Sequence, residues 1–430
     1  MKIKFLHAAV FSSLLCSWNV QAQSQRAYAI TGEQRGNIGW TVVREIDLAT
    51  GAVIKSIYTP QTKAIALDAL TGKRLEVMNE NDVMNQVTTV NLNGIASTQV
   101  TYSDGRKADV VTPPTETMVA AAAYDEKNNR LFFTPMHSNE LRYFDLNANN
   151  NAVYYVRNAA LKNFSSRAGE ADVITRMCFA SDGYGYALTN DASHLIRFTS
   201  GEKVTITDLG AVNDASENKN ISIRNQCSSW GGDMVADAFG NLYVISMKGN
   251  TFKINPQTLT AEFIGTITGL PQDYTVNGAA ADESDNVIVS CATKADEYYK
   301  IDFKTLEATM LPKTNNEVYN ASDLASSHIL YASNENQQVV QTLGNNTVTI
   351  YPNPVSGRTF NLTFDSYNSG NYTVSLYNAS GTQVLNKIVN VNGKTIEQVI
   401  LPKSLPGGMY MINIFNGKGE QTYNGKIVVF

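Results

Sequence analysis

The stretch GDMVADAFGNLYVISMKGNTFKINPQTLTAEFIGTI, residues 232–267, decides the fold. It reads strand, turn, strand, loop, strand, turn, strand, with Gly, Asn and Pro ending each apolar run. The same order starts at Lys63, Val119, Ile174 and Asn277, so five four-stranded units are present. A sixth is divided between the chain ends. NASDLASSHILYAS, from Asn320, supplies its first strands, and AYAITGEQRGNIGWTVVREIDLATGAVIKSIY, from Ala27, supplies the rest. Four-stranded repeats with one unit shared between the two ends describe a β-propeller closed by its own termini.

The first strand of each unit is rich in Ala: Ala64 and Ala66, Ala120 to Ala123, Ala236, Ala279 to Ala281, Ala321 and Ala325. Innermost strands crowd an axis where small side chains fit. The Asp-x-x-Gly-Asn turns that follow stop these Ala runs from continuing as helices. The fold class expected is all-β: a six-bladed, alternatively seven-bladed, β-propeller followed by a small Ig-like β-sandwich. The domains expected are a signal peptide at 1–22, the propeller at 23–335, a linker at 336–346 and the C-terminal sandwich at 347–430.

The composition agrees with an exported β protein. Hydrophobic residues make up 43% and charged residues 17% of the chain, and the net charge of −5 offers no basic footprint for nucleic acid. MKIKFLHAAVFSSLLCSWNVQAQ opens with Lys2 and Lys4, continues with an apolar run and ends on Val20-Gln21-Ala22, the pattern of a signal peptide cut after Ala22. A lipoprotein anchor at Cys16 is the competing reading, but Leu14 and Leu15 stand where a small residue is needed. No later run is long and apolar enough for a transmembrane segment.

Loop length separates two faces. First-to-second and third-to-fourth strand connections are short turns. The remaining loops leave from the opposite face, and residues 103–118, 157–173 and 210–231 are long. Loops of that length are usually functional or disordered, so any binding is expected on that face. The turns in VADAFGNLYVIS and FASDGYGYALT resemble those of NHL-like and gluconolactonase-type propellers, a resemblance that implies fold and not activity.

After the linker, YPNPV (351–355), LYNASGTQV (376–384), GGMY (407–410) and KIVV (426–429) occur in that order up to the chain end. These motifs resemble the type A C-terminal sorting domain of the type IX secretion system of Bacteroidetes. The resemblance implies that Tyr351, Pro352, Asn353, Pro354, Gly407, Gly408, Tyr410 and Lys426 belong to an address read at the outer membrane by the secretion and sortase machinery. The passenger would then be released or attached to the cell surface. Phe430 stands where family members often end in a short basic stretch.

Chemistry in the propeller is sparse. His137 and His194 lie in second-to-third loops of neighbouring units; with Arg167, Arg176 and Tyr102 nearby they would suit proton abstraction in a polysaccharide lyase. Polar loop histidines without a role are the plainer reading. Arg176, Asp233 and Asn320 align at one level of the channel, a poor ligand set for a metal, and no cofactor motif is present. Trp40 and Trp230, each beside glycines, would stack on a sugar or a protein side chain if exposed and would otherwise pack in the core. Cys178 and Cys227 are a disulfide candidate pinning the 210–231 loop, against the alternative of three free thiols including Cys291. The function expected is a secreted or cell-surface propeller that binds a protein or glycan through its long-loop face. The alternative is an extracellular carbohydrate-active enzyme acting on acidic polysaccharide.

Overall fold

The computed structural model describes residues 25–332 and 347–429, except 79–85, 93–94, 103, 139, 149–150, 158–168, 352, 356–357, 366, 379–380 and 393–394. The expected signal peptide at 1–22, the expected linker at 336–346, Arg167, Pro352 and Phe430 lie outside the described residues.

Each inner strand is short: Ala321–Ser326, Val119–Asp125, Ile174–Phe179, Asp233–Ala236 and Gly278–Ala281, the first, second and last rich in Ala and the other two carrying larger side chains. They neighbour one another in that order, and the last returns to the first, so the ring is closed. The first blade pairs Ala321–Ser326 with Arg26–Thr31, then Val42–Asp47 and Ala52–Tyr58, which joins the two ends of the propeller chain in one sheet as its sequence implies. The other blades run outward in chain order: Val119–Asp125 to Ala152–Val156, Ile174–Phe179 to Ile206–Gly210, Asp233–Ala236 to Thr260–Thr266, and Gly278–Ala281 to Glu307–Met310.

Among the described residues the ring therefore has five blades, not the expected six, or alternatively seven. Five separate apolar clusters confirm the count, one in each seam between adjacent blades. The unit beginning at Lys63 is not a blade. Its strand Ile65–Asp68 adds in parallel to the outer edge of the second blade, beside Ala152–Val156, and the following strands form a separate sheet with Lys107–Val111. The physical reason lies in its second strand. True second strands such as Arg130–Pro135 and Leu242–Ile245 are buried along their length, because blades cover both faces. The corresponding strand of the Lys63 unit is only Glu76–Val77, preceded by Lys73 and Arg74, and its Glu is exposed.

The short turns owe their shape to Asp side chains that replace main-chain acceptors. Asp237 accepts the Phe239 and Asn241 N–H groups, each at 2.8 Å, and Asp282 accepts those of Ser284 and Asn286 at 2.8 and 2.9 Å. Asp68 also builds a turn with its side chain, accepting the Leu70 N–H at 3.1 Å and the Thr71 N–H at 2.8 Å as Asp302 does with Lys304 and Thr305, which is why the Lys63 unit looks like its neighbours in sequence.

The C-terminal module packs two antiparallel sheets, one of Thr347–Tyr351, Thr359–Asp365 and Thr395–Ile400, the other of Gln383–Val391, Gly370–Tyr377, Gly408–Phe415 and Gln421–Val429. Alternate residues from both sheets, among them Phe360, Leu362, Val374, Ile412 and Ile427, fill one core. Among the described residues no helix is long and apolar enough to cross a membrane.

Candidate binding face, channel and sorting module

A cleft opens where the ring closes. The 32–41 loop of the first blade meets the fifth blade's 291–298 loop and the 311–320 segment leading out of it, all on the long-loop side. Asn320, fully buried, holds these pieces together: its Nδ2 donates to Asn37 O at 2.9 Å and Ala292 O at 2.6 Å, while its Oδ1 accepts the Gly36 N–H at 2.8 Å. The Trp40 indole N–H also donates to Ala292 O, at 3.2 Å. Trp40 is half-buried against the seam core, so its ring stiffens the loop from beneath. Beside this clamp lies a cleft of about 200 Å³. An Arg35–Asp296 ion pair crosses it; Lys313, Asn315 and Asn316 supply polar groups, and Leu311 and Pro312 an apolar side backed by the buried Tyr298.

The channel is built differently. Arg176 is fully buried and spends its guanidinium on main-chain carbonyls, those of Ser229 at 2.6 Å, Gly231 at 2.9 Å and Thr189 at 3.3 Å. Burial brings it down to about 10, with the Asp233 charge opposing the fall. Asp233, also fully buried, accepts the Met234 N–H on one oxygen and the Ala279 N–H on the other, both at 2.7 Å. Burial pushes its carboxyl above the usual carboxylate range, and amides from inner strands, those of Ala279, Met234, Met177 and Leu324, pull it back. Asp323, on the inner strand of the first blade, is fully buried as well, and neither of its oxygens has a well-formed hydrogen bond. Sequence reasoning missed it. The available signal was a lone acid in the otherwise small and apolar strand ASDLAS. A hard cation needs several free oxygen ligands. Here the Asp233 oxygens face N–H donors, and among the described residues no group of three or more His, Cys, Asp or Glu gathers.

The remaining candidates are dispersed among other tasks. His194 Nδ1 lies 2.9 Å from Asp208 Oδ2, on the outermost strand of the third blade. His137 sits at positive φ in its loop, its Nδ1 buried with no hydrogen bond. Trp230 is half-buried and its indole N–H donates to Arg224 O at 3.0 Å. The Cys178–Cys227 disulfide is absent: both are free, as is Cys291. Cys178 is the fifth residue of the six-residue strand Ile174–Phe179, at the short-turn end of the channel, whereas Cys227 is exposed in a loop of the opposite face. Cys291 is buried between Thr275 and Thr293, whose hydrogen bonds outweigh burial and bring its thiol down.

In the C-terminal module the motifs at its two ends meet. The Asn353 side chain donates to Lys426 O at 3.0 Å and accepts the Val428 N–H at 2.9 Å, and Val355 N–H reaches Val428 O at 2.7 Å. Pro354 follows Asn353 through a cis peptide bond. Tyr410, just after Gly407 and Gly408, is buried opposite Ile427 and donates its hydroxyl to Pro406 O at 2.7 Å. Lys426 itself is exposed. Residues 349–430 match the family described as the secretion system C-terminal sorting domain. This module is a type IX sorting domain. The sorting domain marks the chain for secreted or cell-surface export and implies contact with the type IX machinery.

No curated protein matches the chain. Among solved structures it is similar to virginiamycin B lyase from Staphylococcus aureus, at 9% identity and TM-score 0.31 over 83% of this chain and 98% of that one. It is also similar to PorZ, a surface component of the type IX secretion system of Porphyromonas gingivalis, at 14% identity and TM-score 0.31 over 95% of this chain and 58% of that one. A third is the WD40 propeller domain of Doa1, at 11% identity and TM-score 0.28 over 79% and 88%. These superpositions are too loose to carry an argument; the propeller is read from its own sheets.

Proposed function

We propose that the chain, cut after Ala22 and exported through its sorting domain, is a non-catalytic binding protein that takes a glycan segment in the cleft at the ring seam. The observation that carries this reading is the cleft itself. About 200 Å³ bounded by an ion pair, an ammonium, two side-chain amides and an apolar side made by Leu311 and Pro312 suits a hydroxyl-rich ring, which needs several polar partners and one apolar face. The Asn320 clamp holds those loops in place before any ligand arrives, which lowers the entropy cost of binding. A lyase reading finds less support, because Arg176 is committed to carbonyls and His194 to Asp208.

The test is retention of the mature chain on immobilised neutral and acidic polysaccharides, compared with an Arg35→Ala/Lys313→Ala variant. Loss of two charge-assisted contacts should weaken binding by at least about tenfold. Equal retention of both proteins, or of neither, removes the cleft as the glycan site. Unsaturated products released from an acidic polysaccharide would establish the enzyme instead.

A further inference from the structure

Two carboxylates and one guanidinium are buried on the inner strands, and their formal charges do not cancel. Arg176, Asp233 and Asp323 come from three different inner strands and all are fully buried. One guanidinium against two carboxylates leaves a surplus negative charge in a place closed to solvent. A cavity of about 20 Å³, room for roughly one water, lies further along the axis and is lined by the next residues of those strands, Met177, Met234 and Leu324. A buried carboxylate with no partner is costly, and the usual escape is to take up a proton.

The two acids are not equivalent. Asp233 receives a main-chain N–H on each oxygen, a setting that favours the charged form. Asp323 receives none of good geometry, and the polar groups nearest to acting on it are the Asp233 side chain and the Ala122 amide. We propose that Asp233 and Asp323 form a proton-binding site in which Asp323 stays protonated and donates its O–H to the Asp233 carboxylate. That proton makes the axis neutral, with Arg176 balancing Asp233.

The other groups facing the pair do not take over this role. From the strand of Arg176, the Cys178 thiol is held up by burial and then by the Asp233, Asp182 and Asp323 charges, so it stays neutral. Tyr124, from Val119–Asp125, is likewise held up by burial. Gly278–Ala281 contributes no titratable side chain. His328 lines the cavity too, but its ring nitrogen lies 3.9 Å from Glu283. Asp191 acts on Arg176 from the third blade.

The sign of the pH effect follows. Burial first, and for Asp323 then the Asp233 charge, raises the pair above the usual carboxylate range. Between that range and the raised value the folded chain holds one proton more than the unfolded chain. Stability is therefore complete at the acid end of the window and falls as pH rises, the unfolding constant growing by up to about tenfold per pH unit.

Urea unfolding of the mature full-length chain between about pH 5 and pH 8 reads this directly. Asp323→Asn supplies a permanent donor to Asp233, so it should flatten the slope by up to one proton and raise the midpoint at the alkaline end. Asp233→Asn places an amide N–H₂ against the Met234 or Ala279 donor and should lower the midpoint throughout. An unchanged slope in Asp323→Asn, or a midpoint lowered at every pH as in Asp233→Asn, overturns the proposal. If neither variant folds, infrared spectra of the wild-type chain at neutral pH decide. A protonated, water-shielded carboxyl C=O band supports the shared proton, and its absence overturns it. Calcium raising the wild-type midpoint at the alkaline end, but not that of Asp323→Asn, assigns the pair to a cation and also overturns it.

Discussion

Cys178 turns its thiol into the axial cavity, while Cys227 stands exposed on the long-loop side, and this difference sets their reactivity. The thiolate is the reactive species, and burial holds the Cys178 thiol in its neutral form. Alkylation of the folded, exported chain should label Cys227 at least about tenfold faster than Cys178 or Cys291, which wait for opening of the blades. Peptide mass spectrometry before and after urea measures it; rapid native labelling of Cys178 would mean that the axis is open. Position within a strand was the missing information. Sequence spacing placed Cys178 in the right strand, but only the ends of that strand, Ile174 and Phe179, show that it lies at the end away from Cys227. Asp323 was illegible for a related reason: its partner, Asp233, is ninety positions away and meets it only because the ring closes.

At the scale of elements, inner strands are limited by how closely their backbones approach. Gly278 begins the strand GAAA, and a β-carbon there would sit 2.6 Å from Ser290 Oγ and 2.7 Å from the main chain of Asp323 and Leu324. The neighbouring backbone cannot give way without moving the first blade. Gly278→Ala should therefore destabilise the chain by about 1–3 kcal/mol, an overpacking cost, seen as a lower urea midpoint with unchanged slope. A neutral result would show that the fifth and first blades slide freely at their inner edge. The Ala-rich inner strands and the blade shared between the two ends of the propeller were legible because axial crowding and ring closure constrain residue type and order. The blade number was not. Turn chemistry is local, and Asp68 builds its turn as well as Asp237 does. What makes a blade is apolar burial on both faces of its second strand, and Glu76–Val77, with Lys73 and Arg74 before it, fails that condition.

For the whole molecule, the two folded parts close their cores independently. The ring is sealed by Arg26–Thr31 against Ala321–Ser326, and its seam cores draw only on propeller residues. The sorting module fills its own core and ties its ends together through Asn353 and Val428. Two of its motifs were readable because they fall on that tie and on the start of the strand Gly408–Phe415, where Gly408 takes a positive φ. Removing residues 347–430 therefore exposes no propeller edge and should leave a ring that unfolds in one cooperative transition with its midpoint little changed. The same truncation removes the address, so the propeller should accumulate inside the cell envelope instead of reaching the surface or the medium. Surface labelling and fractionation of cells carrying the full and shortened chains measure the export half of this expectation, and urea unfolding of the purified ring measures the other. Normal surface display of the shortened chain would show that the propeller carries an address of its own; a ring that no longer folds would show that the module acts within the fold as well as in export.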